Sequence, residues 1–284
     1  MEAARPSHTA LRVAMRRAAH QLFDDPPLVF TDPFAVRILG PHAAEIERTP
    51  GRNPAHKPRP FSVGLRAFLV ARSRYAEELL AHAVANGATQ YVILGAGLDT
   101  FALRNTNPSL RVFEVDHPAT QAWKRDLLRD ANLATPTKLT FVPVDFERES
   151  LATQLSASGF DSTQPTFFSW LGVVPYLTLE AFRTTISFIG AQPANSGLVF
   201  DYAQPRSALP HREQLAFDSL ASRVHLAGES FQLFFTPHQA AAELSAFYNL
   251  EDLGTPELNA LYFASRTDGL RTMGAAGRLV SGWL

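Results

Sequence analysis

Five short apolar runs constrain this chain most: residues 90–95 (QYVILG), 111–115 (RVFEV), 140–145 (TFVPVD), 166–171 (TFFSWL) and 197–202 (GLVFDY). None alternates cleanly between apolar and polar positions, as expected of strands covered on both faces. Helical stretches lie between most of them, and repeated β–α alternation predicts a parallel, doubly wound sheet. Two later runs, 249–253 and 278–283, read as further strands. The expectation is an α/β, Rossmann-like fold on a seven-stranded, mostly parallel sheet.

The flanking segments are helical. Residues 7–22 place Leu11, Ala14, Met15, Ala18 and Leu22 at helical spacing, with Ser7 or Thr9 available as a cap. This Arg-rich, amphipathic stretch reads as an ordinary helix rather than a transit peptide. Asp25-Pro26-Pro27 stops it, and Asp32-Pro33 starts a short second helix to about Leu39. Residues 40–60 hold five prolines and read as an irregular loop, equally a linker or a lid. A long helix follows from Gly64 to Asn86, ended by Asn86-Gly87. Later helical stretches cover 207–222 and 236–247. The expected division is an N-terminal helical lid segment, 1–63, and a main domain, 64–284, with 204–246 as an insert.

The 284 residues, 46% of them apolar, suffice for a sizeable core, and 21 phenylalanines make much of it aromatic. The 26 basic and 27 acidic residues nearly cancel, which argues against a nucleic-acid partner. Cysteine is absent, so disulfides, thiolate metal sites and a cysteine nucleophile are excluded. Neither a run of about 18 apolar residues nor an apolar signal-peptide core is visible. The expectation is a cytoplasmic protein without a membrane partner and without a metal at its site. Oligomeric state is open.

Chemistry concentrates at the carboxyl ends of the first three strands. Tyr91 to Thr100 (YVILGAGLDT) runs from strand through Gly95-x-Gly97 into a helix, a turn in which backbone can approach a nucleotide closely. The third glycine of a dinucleotide fingerprint is replaced by Thr100. The second strand ends in Glu114, Val115 and Asp116, and a carboxylate there can accept ribose hydroxyl hydrogens. The third ends in Asp145-Phe146, suited to an adenine amino group and ring. Each acid alone also fits a solvated strand end.

The long helix adds a cation. At about 100° per residue, Leu65, Phe68, Leu69, Ala76, Leu79, Leu80 and Ala83 form an apolar stripe. Arg72 falls inside it and Arg74 on the opposite face. A guanidinium aimed at the core needs an anion. Periodicity admits both a protein carboxylate (Asp99 or Glu114) and a ligand carboxylate. With no phosphate-binding device present, a nucleoside with a carboxylate tail such as S-adenosylmethionine fits better than a dinucleotide.

The chain resembles the leucine carboxyl methyltransferase-like group of class I S-adenosylmethionine-dependent methyltransferases, including its bacterial polyketide O-methyltransferase-like branch. The resemblance rests on Ala71–Arg74, Leu94–Thr100 (LGAGLDT), Phe113–Pro118 (FEVDHP) and Pro143–Phe146 (PVDF). Trp170–Thr178 (WLGVVPYLT), Leu261–Arg271 (LYFASRTDGLR), Thr9-Ala10 and Asp32–Ala35 are similar too. The resemblance implies that Arg72 binds the methionine carboxylate and that Gly95 and Gly97 line the cofactor loop. It further implies that Asp116, with Glu114 as second candidate, holds the ribose, and that Asp145 and Phe146 contact adenine. Many members carry a glutamate where this chain has Leu171, touching the cofactor's amino-acid end. Another group or water must serve here.

Methyl transfer from a sulfonium is an in-line displacement, so alignment and water exclusion dominate. A carboxylate acceptor is already ionised near neutral pH, whereas a phenol or alcohol usually needs a base. His117 reads as structural. His225 and His238 lack an orienting neighbour in sequence. Tyr176 is the expected acceptor-orienting residue. The 204–238 stretch, with Arg206, His211, Arg212, Phe231, Phe234 and Phe235, could help the N-terminal helix build an acceptor pocket. Arg16, Arg17 or Arg206 could pair with an acidic acceptor. The expected function is methylation of a carboxylate or hydroxyl on a small molecule, which the resemblance extends to polyketide-like acceptors. Rivals are an NAD(P)-dependent oxidoreductase, opposed by Thr100 and Arg72, and a non-catalytic cofactor binder, kept in play by Leu171.

Overall fold

The computed structural model describes residues 7–47, 60–226 and 230–284. Helix α1 (His8–Phe23) starts at Ser7, whose Oγ accepts the Ala10 N–H. After Asp32 the chain makes a turn, not the expected α-helix. Asp32 Oδ1 caps the Phe34 N–H, and a 3-10 stretch over Arg37–His42 kinks at Gly40 (φ 53°). Of the loop expected over 40–60, residues 40–42 belong to the 3-10 stretch and Ala43–Glu47 form helix α2, while 48–59 lie outside the described residues. Helix α3 (Pro60–Ala85) follows.

The strands then come with their helices: β1 (Gln90–Leu94), α4 (Phe101–Arg104), β2 (Arg111–Asp116), α5 (Pro118–Asp130), β3 (Leu139–Pro143) and α6 (Leu151–Ala157). Next are β4 (Thr166–Trp170), α7 (Leu179–Gly190), β5 (Gly197–Ala203), α8 (His211–Leu226), α9 (Pro237–Glu243), β6 (Tyr248–Leu253), α10 (Thr255–Tyr262) and β7 (Gly277–Trp283). Helix α9 is shorter than the expected 236–247. Helix α10 was not anticipated at all: Pro256 stands in its first turn and only Leu258 is fully buried.

All seven strands join one sheet in the order β3-β2-β1-β4-β5-β7-β6. Strands β1 to β5 are parallel, and β7 enters antiparallel between β5 and β6. Successive residues of the central strands β1, β2, β4 and β5 feed opposite cores. Val92, Leu94, Phe168 and Phe200 pack with α6, α7 and α9, where Trp170 stacks on Phe182 at 5.5 Å. Tyr91, Ile93, Val112 and Phe167 pack with α3 and α10. Both faces are therefore buried, which is why the strands read as unbroken apolar runs. A third cluster joins α1 to α5 through Ala14, Ala18, Leu98, Leu127 and Leu128. The order reverses between β1 and β4, and a crevice opens outside their carboxyl ends, where ligands bind in such sheets. Among the described residues no helix is long and apolar enough to cross a membrane.

Candidate active site

A cavity of about 570 Å³ occupies this crevice, within the ordinary range for a small-molecule site. The β1–α4 turn forms its floor. Gly95 and Gly97 take left-handed conformations, φ +68° and +50°. The turn is tied to β2, since the Gly95 and Ala96 N–H groups both donate to the Val115 carbonyl. A Cβ on Gly95 would lie 2.2 Å from Val173 Cγ2, and one on Gly97 3.0 Å from Ala10 Cβ. Glycine is thus required by the backbone and by close neighbours.

Arg72, Gly95, Gly97, Asp116, Asp145, Phe146 and Tyr176 all line this cavity. Asp116 receives the Gly97 N–H on Oδ2 at 2.5 Å and the His117 N–H on Oδ1 at 2.7 Å. Burial nevertheless raises its carboxyl above the ordinary value, with those two donors opposing. Asp145 accepts the Glu147 N–H at 3.1 Å. Phe146 lies 6.3 Å from the Trp170 ring and rests partly on the core.

Glu114 is not brought to the cavity. It is 1% exposed and receives Lys124 Nζ at 2.5 Å beneath α5. Position along the strand explains this: Glu114 and Asp116 share the face of Val112, but Glu114 stands two residues back from the carboxyl end, where Lys124 meets it, whereas Asp116 is the strand's last residue. Burial raises the Glu114 carboxyl, with Lys124 opposing.

Arg72 is 5% exposed on the cavity wall. Its carboxylate partner is neither Asp99 nor Glu114. Nη1 donates to Asp201 Oδ2 on β5 at 2.7 Å, and Asp201 Oδ1 accepts the Gly172 N–H at 2.5 Å. The sequence signal was present, as Asp201 interrupts the apolar run GLVFDY.

Arg17 is also on the wall, but its charge is committed to protein. Nη1 donates to Asp99 Oδ2 (3.0 Å); Nη2 donates to Asp32 Oδ2 (3.2 Å) and the Leu98 carbonyl (3.1 Å). Thr100, in the missing glycine's place, donates its hydroxyl to Asp32 Oδ2 at 2.7 Å. Arg104 forks onto both oxygens of Glu77. Burial alone would raise Asp99, yet Arg17, Lys124 and Arg104 hold it below its usual value. This network, which sequence reasoning missed, fastens α1 to the floor of the cavity.

At the far end Thr9 Oγ1 and Tyr176 Oη lie 3.5 Å apart, and the Tyr176 ring is 5.2 Å from Phe231. Gln232 donates its N–H to the Pro175 carbonyl and its Nε2 to the Tyr176 carbonyl. From the expected insert, Ser230 and Gln232 reach the cavity. Phe231 and Phe234 pack with Phe217, and Phe235 is core. Arg206 pairs with Asp218, Arg16 donates to the Arg12 carbonyl, and His211, Arg212 and His238 are exposed. The side chain of His225 lies outside the described residues. His117 lines the cavity but is spent as the cap of α5, its Nδ1 accepting the Ala119 N–H.

This donor set fits S-adenosylmethionine: a cation for the carboxylate, a strand-end acceptor for the ribose, and an acid with an aromatic ring for adenine. The strand order and the placement of the cavity define a class I methyltransferase architecture. Two solved structures share it across nearly the whole chain, both with TM-score 0.56 and 17% identity. One is a DUF574 family protein of Streptomyces avermitilis, with 98% of each chain covered. The other is a candidate methyltransferase of Thermobifida fusca, with 98% and 95% covered.

The leucine carboxyl methyltransferase family model matches residues 10–190. The chain belongs to this family, and with it to the S-adenosylmethionine-dependent methyltransferases. YktD of Bacillus subtilis, named a candidate S-adenosyl-L-methionine-dependent methyltransferase, is 40% identical over 71% of this chain and 67% of its own. A similarly named Frankia alni protein is 33% identical over 66% and 64%. A Saccharopolyspora erythraea relative is 27% identical over 96% and 93%. The aligned stretch thus spans about two thirds of the first two relatives and nearly all of the third.

Proposed function

We propose that this protein transfers the methyl group of S-adenosylmethionine to a carboxylate or hydroxyl oxygen of a small-molecule acceptor. The observation that carries the reading is Arg72: a buried guanidinium on the wall of the cavity that the Gly95–Gly97 turn floors, with Asp116 bonded to that turn. The cofactor supplies an electrophilic methyl group on a sulfonium, open to in-line displacement.

The chain's residues supply placement. One Arg72 N–H is held by Asp201, and the remaining donors serve the methionine carboxylate. Asp116 accepts from the ribose hydroxyls; Asp145 and Phe146 serve adenine. Ala10, Val13, Leu171 and Val173 wall the cavity with apolar surface and exclude water. Tyr176, beside Thr9, orients the acceptor oxygen.

Thermal shift with S-adenosylmethionine, S-adenosylhomocysteine, NAD and NADP tests this reading. Ligand at about 100 times its dissociation constant adds about 2.7 kcal/mol, a rise of several degrees for a chain this size. A rise with the sulfur nucleosides alone is expected; a rise with NAD or NADP alone overturns it. Leu171 on the cavity wall supports a second reading, a binder without turnover. Tight cofactor binding with no methyl transfer to a panel of acids and phenols would favour that one.

A further inference from the structure

We infer that Asp201 is the positioning residue for Arg72 and that the pair, being neutral together, selects a net-neutral amino-acid tail over an anion. The inference rests on the cofactor reading above. Arg72 projects from the apolar stripe of α3, where a lone guanidinium would be costly. Asp201 answers it with one oxygen and grips the Gly172 N–H with the other. The β4–β5 register pairs Trp170 with Phe200, which sets residues 171 and 172 beside Asp201. Gly172, at φ +76°, completes the grip: a Cβ there would lie 2.9 Å from Arg72 Nη2. Three elements (α3, the end of β4 and β5) thereby fix the guanidinium plane. Arg72 lines the cavity and Asp201 does not, so Asp201 acts through Arg72.

The charge count gives the selectivity. Arg72 and Asp201 cancel, and Leu171 brings no charge. A ligand end carrying both carboxylate and ammonium leaves this buried neighbourhood balanced. A phosphate leaves it with uncompensated negative charge, which is penalised in a water-poor site.

Calorimetric titration provides the test, with S-adenosylhomocysteine, with 5′-methylthioadenosine, which has the nucleoside and thioether but no amino-acid tail, and with adenosine 5′-monophosphate, which ends in a phosphate. Binding of the monophosphate as tightly as S-adenosylhomocysteine would overturn the selection. The wild-type protein should prefer the tailed ligand. Asp201→Asn should weaken S-adenosylhomocysteine by about tenfold or more, 1.4 kcal/mol, while methylthioadenosine stays unchanged. Should that variant fail to fold, Arg72→Met/Asp201→Leu removes both charges, a swap that buried pairs often tolerate. It should bind both ligands equally. Equal losses for both ligands in Asp201→Asn, or no loss, would overturn the positioning role. A double variant that still prefers the tailed ligand would overturn the selection by the pair. Wild-type binding of both ligands with equal affinity overturns this inference and the assignment of Arg72 to the methionine carboxylate, and leaves the nucleoside end of the cofactor reading standing. Wild-type binding of neither overturns the cofactor reading and takes the inference with it.

Discussion

Burial pushes the Asp116 carboxyl above its ordinary value against the pull of the Gly97 and His117 N–H groups. Ribose hydroxyls donate to the ionised form, so cofactor affinity should fall as pH drops through that raised value, earlier than for a solvent-exposed aspartate. Stability runs the other way. A carboxyl with a raised folded-state pKa favours the fold below its unfolded value, near 3.9, and that contribution is lost as pH rises through the folded value. Asp116→Asn should weaken S-adenosylhomocysteine binding and flatten its pH profile through that raised value, read by calorimetry. Arg72→Ala should cost about 1.5–3 kcal/mol of binding free energy, the scale of a hydrogen bond to a charged group. Unchanged affinity would remove Arg72 from the cofactor site. At this scale sequence was informative in kind and misleading in detail. Helical periodicity put Arg72 on the core-facing side. Which strand end supplies its anion depends on strand order, so the partner proved to be Asp201, 129 residues away. The same limit hid Arg17, whose partners Asp32 and Asp99 are 15 and 82 residues distant.

Helix α1 and the β1–α4 turn are held together by charge as well as by packing. Arg17→Ala would leave buried Asp32 and half-buried Asp99 short of their shared cation. Breaking such a network costs about 3–5 kcal/mol, so the melting temperature should drop by about 10 °C at roughly 2–4 °C per kcal/mol. A calorimetric scan that finds no drop would mean the network is redundant. The turn itself makes a second prediction. Gly95→Ala meets both a left-handed backbone and Val173 Cγ2 at 2.2 Å. It should destabilise the protein, and adding Val173→Ala should recover the steric part while leaving the backbone part, about 1–2 kcal/mol. Equal melting temperatures for the single and double variants would show that Val173 moves aside freely. Thr100 reads differently here from its reading in sequence: where a dinucleotide fingerprint lacks a glycine, this fold has a hydroxyl anchored to Asp32. The short α10 escaped notice because a single buried leucine gives no helical period.

The whole molecule was the most legible level, because a sheet buried on both faces leaves unbroken apolar strands that need no partner information to recognise. Its two sides depend on aromatic packing. Phe182, stacked on Trp170 and near Phe200 and Phe235, links α7 to the sheet. Phe182→Ala should cost about 3–5 kcal/mol with the thioadenosine ligands still bound, measured as a lower denaturation midpoint in urea. A larger loss of ligand affinity than of stability would place Phe182 nearer the chemistry than its burial suggests. Strand order has a further consequence, one of timing. Among the described residues strand β6 pairs with β7 alone, yet β7 is translated later and must slide between β6 and β5. While the chain is being synthesised, the free side of β5 and the whole of residues 248–253 are unpaired backbone of the kind that recruits foreign strands. The nascent protein therefore carries an open seam until residues 277–283 emerge and pair, and chaperone demand should concentrate before that point.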